Sequence, residues 1–283
     1  MDIPFDFRHR PPSPRLARFV ESIWYARGTV PYKSEQVAPT GSCVAIFVLG
    51  PPIQQTPHGG ETVAYDRGFL VGPHDRPARN APTGETHAVG IVSTPTGAGP
   101  CFGIQPRSVR GKVVDLEEAW PVATALRERI STTENNDPDT ILEQLESTLE
   151  AGLLPPAAGL SRCEKAVAAV TADPCRPIAD IARSLGISHA HLTREFNRFV
   201  GLTPRTLARI LRMQRFLKQV DVRGTDWAGA AASLGWFDQA HLIRDFKRHT
   251  GVTPSQYIAA QKEMFGDIEV GQGAGFVPDP ERR

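Results

Sequence analysis

Two stretches of the chain place the same side chains at nearly the same spacing. Residues 178–204 read IADIARSLGISHAHLTREFNRFVGLTP, and residues 227–254 read WAGAAASLGWFDQAHLIRDFKRHTGVTP. Ala190–His191–Leu192, Arg194, Phe196, Arg198, Gly201 and Thr203–Pro204 recur 50 positions later as Ala240–His241–Leu242, Arg244, Phe246, Arg248, Gly251 and Thr253–Pro254. Leu185–Gly186 and Leu234–Gly235 are only 49 apart, so the second turn holds one inserted residue. On a helix, Ala190, Thr193, Arg194 and Asn197 share one face, as do Ala240, Ile243, Arg244 and Lys247. Small, hydrogen-bonding and cationic side chains on such a face suit base edges. Arg pairs with guanine, Asn with adenine, and methyl groups meet thymine.

The elements that must present these faces are also legible. Leu192, Phe196 and Phe199 form an apolar stripe behind the first face, and Leu242 and Phe246 form one behind the second. Each copy is thus a short helix, a glycine-containing turn and a second helix. That is the helix-turn-helix unit, whose second helix enters the DNA major groove. Thr203 before Pro204 is an N-cap with proline at the first helical position, repeated at Thr253–Pro254. A helix predicted over 204–220 turns Leu207, Ile210, Leu211 and Leu217 toward both units. Its length of roughly 25 Å sets the two reading helices about one DNA turn, ~34 Å, apart. Arg205, Arg209, Arg212 and Arg215 line one side of it. Arg198, Arg205, Arg209, Lys247 and Arg248 are the expected phosphate contacts, which supply affinity while base contacts supply sequence choice. His191 and His241 precede core leucines and read as packing or turn-capping residues rather than metal ligands.

The formal charge of +1 conceals a division. Residues 1–160 hold 14 basic and 18 acidic side chains, residues 161–265 hold 16 and 9, and residues 266–283 hold 2 and 4. A near-neutral chain therefore carries a segment of +7 suited to a polyanion. Proline and glycine divide the chain at the same place, with 19 and 15 before residue 161 and 4 and 6 in 161–265. Frequent turn formers between short apolar runs predict strands at 36–37, 42–49, 62–65, 68–71 and 87–93, with loops at 50–60 and 73–84. Helices are expected at 116–130, limited by Pro121, and at 139–153. Ser161 with Glu164 reads as a capping box.

The fold class expected is an α+β two-domain protein. A β-rich N-terminal barrel or sandwich with flanking helices precedes an all-α domain of two helix-turn-helix units joined by a long helix. The expected boundaries are 1–154, a linker at 155–160, the DNA-binding domain at 161–265 and a disordered tail at 266–283. The longest apolar run, Cys43–Leu49, is far short of the ~20 residues that span a bilayer, and the proline-rich, acid-containing N-terminus lacks a signal-peptide core. A cytoplasmic, nucleoid-associated protein without a membrane partner is expected. Cys43, Cys101, Cys163 and Cys175 are scattered, which suits neither zinc nor a disulfide scaffold. No G-x-S-x-G, Walker A or H-E-x-x-H motif occurs. No catalytic residue, metal or cofactor is expected, and the chain does not read as an enzyme.

The repeat resembles the DNA-binding domain of the AraC/XylS family of bacterial transcription regulators. The likeness is carried by Ile181–Ala182, Leu185–Gly186, Leu192, Arg194, Phe196, Gly201 and Thr203–Pro204, then by Leu234–Gly235–Trp236, Asp238–Gln239, Leu242, Arg244–Asp245–Phe246–Lys247 and Gly251–Val252–Thr253–Pro254. It covers about 105 of 283 residues. The resemblance implies base contacts from His189, Ala190, Thr193 and Arg194 and from Gln239, Ala240, Ile243 and Arg244, to which spacing adds Asn197. The chain departs from the family in WAGAAASLGW, where Ala230 and Gly229 stand opposite Ile181 and Asp180. A helical glycine costs roughly 1 kcal/mol, and Trp227 and Trp236 are expected to fill the space. The N-terminal half resembles the sensor domain of one AraC subgroup, which implies effector binding, dimerisation or both.

The expected function is a sequence-specific transcription regulator controlled by a small molecule in residues 1–155. Partners are double-stranded DNA, the effector, RNA polymerase if the protein is an activator, and a second copy of the chain. Trp24, Tyr25, Phe47, Phe69 and His87 are candidate effector-pocket residues, chosen as aromatic or polar side chains on predicted strands. Two alternatives remain open: an N-terminal domain that only binds protein, and an enzyme fused to a DNA-binding module.

Overall fold

Alternating apolar residues in the N-terminal half build two antiparallel sheets. The computed structural model describes residues 5–30, 32–134, 137–220, 226–265 and 275–278. The strands are β1 (Asp6–Arg10), β2 (Val20–Gly28), β3 (Glu35–Val37), β4 (Val44–Val48), β5 (Ile53–Thr56), β6 (Val63–Tyr65), β7 (Gly68–Val71), β8 (Ala78–Pro82), β9 (Thr86–Ser93), β10 (Val113–Asp115) and β11 (Phe276–Pro278). One sheet runs β1-β2-β9-β4-β7-β10 and the other β11-β3-β8-β5-β6. The helices are α1 (Ala98–Phe102), α2 (Leu116–Ala119), α3 (Val122–Ser131), α4 (Pro138–Gly152), α5 (Leu160–Ala172), α6 (Ile178–Ser184), α7 (His189–Phe199), α8 (Pro204–Leu217), α9 (Trp227–Ser233), α10 (Gln239–Thr250) and α11 (Pro254–Phe265). A β-rich domain followed by a helical one is the architecture expected.

Several local expectations need correction. β5 and β8 lie inside the stretches expected to be loops, because Gln55 and Asn80 take inward strand positions that an apolar pattern does not reveal. The helix expected over 116–130 divides at Trp120, which is extended at φ −138° and ψ 91°. Pro121 follows it and disfavours the helical region for the residue before. No capping box forms at Ser161. The N-cap lies two residues earlier, at Gly159 in the left-handed region. Residues 276–278 of the expected disordered tail are a strand paired with β3; residues 266–274 and 279–283 lie outside the described residues.

Burial organises three apolar clusters. One face of the first sheet, through Tyr25, Phe47, Val89 and Ile91, packs on Leu116, Trp120, Leu126 and Leu145. The same cluster continues through Leu160 and Val170 into Ile181, Leu192, Phe196 and Ile210. The sheet domain and the first helix-turn-helix unit therefore share a core, despite the irregular 153–159 connection. The second unit gathers on Phe216, Trp236, Leu242, Phe246 and Tyr257, and Ala38 and Val277 join it from β3's end and from β11. The opposite sheet face buries Val48, Ile53, Phe69 and Ala88 between the two sheets.

Candidate nucleic-acid interface

Helix starts set the reading helices. Ser188 Oγ accepts the His191 N–H at 3.2 Å at the start of α7. Asp238 Oδ1 accepts the His241 N–H at 2.6 Å at the start of α10. The turns before them use Gly186 at φ +68° and Gly235 at φ +77°, a conformation that glycine adopts without penalty. α8 starts at Thr203, whose Oγ1 accepts the Thr206 N–H at 3.2 Å. With 14 residues it is about 21 Å long, shorter than the sequence suggests.

Gly229 reads differently in the structure than as a mid-helix defect. It lies in the first turn of α9, where its N–H donates to the capping carboxylate of Asp226 at 2.9 Å. A Cβ there would collide with that carboxylate. Trp227 and Trp236 do fill the space left by small residues, with ring centroids 5.3 and 5.8 Å from Phe216.

The residues assigned to base edges sit on the outward faces. His189, Ala190 and Arg194 are exposed on α7, with Thr193 and Asn197 half-buried. Gln239, Ala240, Ile243 and Arg244 are exposed on α10. Between the units runs a groove of about 920 Å³ lined by His189 and Thr193 of α7, Arg205, Arg209 and Arg212 of α8, and His241 of α10. Both reading helices thus border one basic channel.

Behind each reading helix lies a buried carboxylate that the sequence reading passed over. Glu195 accepts both Nε and an Nη of Arg162, and His191 Nε2 lies 3.3 Å away. Fifty residues on, Asp245 accepts Arg209 at 2.6 Å, Arg212 at 3.0 Å and the Trp236 indole N–H at 3.0 Å. Burial pushes each carboxyl up, but the hydrogen bonds and charge of the facing arginines outweigh it and hold both below the usual range. The recurrence of an acid before Phe196 and Phe246 was the available signal. His191 and His241 serve these carboxylates, the latter at 3.6 Å, rather than packing in the core.

The phosphate set separates accordingly. Arg205 and Lys247 are exposed, and Arg198 is exposed with its guanidinium 4.8 Å from the Phe199 ring. Arg209 is tied to Asp245. Arg248 pairs with Asp75 of the sheet domain at 2.6 Å. A second crevice, of about 1070 Å³, separates the 57–59 loop and Arg76 of the sheet domain from Ile243, Arg244 and Lys247 of α10.

The five candidate pocket residues do not converge. Tyr25, Phe47 and His87 lie on the helix-covered face, where Tyr25 meets His87 at 5.6 Å and Phe47 meets Trp120 at 6.1 Å. Trp24 and Phe69 lie on the opposite face, between the sheets. Alternation along β2 explains the split, since adjacent residues point to opposite sides. Burial pushes the thiols of Cys43, Cys101 and Cys163 up to about 12, so they are protonated at neutral pH and poor nucleophiles. Among the described residues no group of three His, Cys, Asp or Glu could hold a metal ion, and no helix is long and apolar enough to cross a membrane.

Residues 181–260 match the family described as helix-turn-helix domain. The C-terminal region is an AraC-type DNA-binding domain. The AraC-type domain is preceded by a match to a domain of unknown function, DUF6597, over residues 8–115. No curated protein matches the chain. Among solved structures, ToxT from Vibrio cholerae is similar over 90% of this chain and 98% of its own, at 12% identity and a TM-score of 0.49. ToxT with a bound unsaturated fatty acid, from Vibrio cholerae strain SCE256, is similar over 94% and 96%, at 10% identity and 0.48. A DNA-binding transcriptional dual regulator from Escherichia coli K-12 is similar over 39% of this chain and 96% of its own, at 22% identity and a TM-score of 0.32.

Proposed function

We propose that the protein is a sequence-specific transcription regulator that reads two successive major grooves, with its sheet domain controlling the second reading helix. The observation that supports this best is the pair of outward faces, with His189, Ala190 and Arg194 exposed on α7 and Gln239, Ala240, Ile243 and Arg244 exposed on α10. Base readout is assigned to His189, Ala190, Thr193, Arg194 and Asn197, and to Gln239, Ala240, Ile243 and Arg244. Phosphate contact is assigned to Arg198, Arg205 and Lys247, and to Arg248 once Asp75 releases it. Arg209 acts by holding Asp245.

Control reaches the second unit through contacts with the sheet domain, three of which, among the described residues, carry the argument. These are the Asp75–Arg248 pair, the Gln214 amide on the Pro39 carbonyl at 2.7 Å, and β11, which pairs with β3 while Val277 packs in the second unit. A recognition helix, ≈10–12 Å across, fills a groove ≈12 Å wide, so groove walls must pass on both sides of α10. The 57–59 loop stands across the crevice from that helix. A small molecule seated in the crevice would touch both domains, and its cationic lining favours an anionic effector. No catalytic step belongs to this reading.

Association of two chains is a second role for the N-terminal domain. β1 is an edge strand carrying exposed Phe5 and Phe7 beside it, and edge strands with apolar side chains pair with other chains. Contact with RNA polymerase applies if the protein activates.

The deciding test selects duplexes from random DNA with the full-length chain. A recovered motif of two half-sites about one helical turn apart is expected. Recovery of no motif, or of binding that Arg194→Ala and Arg244→Ala together leave unchanged, overturns the reading.

A further inference from the structure

We infer that Phe237 is a base-reading residue of the second unit and seats its ring on a thymine methyl group, an inference that rests on the DNA-binding reading above. Phe237 belongs to the turn that is one residue longer than its counterpart in the first unit. There, Ile187 follows Gly186, packs against the core, and leads directly to the capping Ser188. In the second unit Trp236 takes the inward place at 4% exposure, and Phe237 follows it with 92% of its surface exposed.

The backbone on either side of Phe237 is pinned. Trp236 donates its indole N–H to Asp245 at 3.0 Å, and Arg212 stacks 4.4 Å over its ring. Asp238 caps α10 through the His241 N–H at 2.6 Å. With Trp236 in the inward place and both neighbours anchored, the Phe237 ring lies outside the core. It projects at the N-terminal end of α10, the end of a recognition helix that contacts base edges. Water around an apolar ring is unfavourable, so a partner that covers it gains from that burial. The exposed surface beside it holds Gln239, Ala240, Ile243 and Arg244, with the Asp238 carboxylate engaged in the α10 cap. That neighbourhood complements DNA better than it complements an apolar protein patch. Within the major groove the apolar feature is the thymine C5-methyl, which side chains such as Phe meet directly.

The test uses the full-length chain and a duplex selected from random DNA, with thymines of the second half-site replaced one at a time by uracil. Uracil removes the methyl group and keeps the base pair. At one position uracil should weaken binding by the wild-type chain roughly 5- to 30-fold. Phe237→Ala should lose the same factor on the thymine duplex and become indifferent to uracil at that position. Equal melting temperatures for both proteins confirm that the fold is kept, as expected for a side chain this exposed. Full affinity of Phe237→Ala overturns the inference, and so does a loss accompanied by unchanged uracil sensitivity. If no duplex is selected at all, the DNA-binding reading fails first, so the two failures are distinguishable.

Discussion

Asp75, between β7 and β8, holds Arg248 of α10 at 2.6 Å across 173 residues of sequence. Under the proposed function Arg248 contacts a DNA phosphate, and Asp75 holds the guanidinium that would make that contact. Asp75→Asn should release it. Affinity for a selected duplex should rise about 2- to 5-fold at low salt, and the slope of log K against log salt should steepen by about one. Fluorescence anisotropy titrations over a salt series measure both. An unaltered slope in both Asp75→Asn and Arg248→Ala would remove Arg248 from the DNA contact.

Arg194 and Arg205 should fail in different ways. Arg194→Ala on the α7 face should relax selection at one base pair, at a cost of ~1–3 kcal/mol on the selected duplex. Arg205→Ala at the start of α8 should weaken selected and random DNA alike and reduce the salt slope by about one. Competition binding with single-base variants distinguishes them. If both substitutions change only the slope, Arg194 is a phosphate contact.

Asp245 gathers Arg209, Arg212 and Trp236 behind α10, so its removal should destabilise rather than merely weaken DNA binding. Asp245→Ala leaves Arg212 half-buried without its anion and should cost about 2–4 kcal/mol, read as a lower denaturation midpoint. The pH dependence has a definite sign. A carboxyl held low in the folded state stabilises above its unfolded value of about 3.9 and loses that contribution as pH falls below it. Acid unfolding of the wild type should therefore steepen below about pH 4, and the Asp245→Asn variant should lack that component.

Glu35 carries the opposite sign. Its carboxyl is buried at 5% exposure and accepts the Tyr32 hydroxyl at 2.7 Å and the Asn80 amide at 2.8 Å. Burial pushes it up, and the two hydrogen bonds offset this only in part. A raised folded value means that its stability is fully present below about pH 4.3 and falls as pH rises through the folded value. Glu35→Gln should raise the melting temperature at pH 7.5, with the difference closing toward pH 4. A lower melting temperature for the variant at pH 7.5 would count against the raised value of Glu35.

The repeat was legible because helical faces are a local matter. Spacing alone places Arg194 outward and Phe196 inward, and capping residues such as Ser188 and Asp238 act within one turn. β5 and β8 were less legible, since Gln55 and Asn80 point inward to hydrogen-bond each other and leave no apolar alternation to read. The pocket candidates divide between two faces for a related reason. Trp24 and Tyr25 are adjacent on β2 and so face opposite sides of the sheet.

Two capped helix-turn-helix units, their outward faces, the basic second half and the β-rich first half were all determined by the sequence alone, because propensity, periodicity and charge act over short range. Tertiary structure decided which arginines stay exposed and which are paired. Arg205 stays exposed, whereas Arg209 is taken by Asp245 and Arg248 by Asp75, and the partners lie 36 and 173 residues away. It also decided that the tail returns to β3 as β11 and that the first unit shares its core with the sheet domain. Such pairings depend on which surfaces meet after collapse, and no local pattern encodes that meeting.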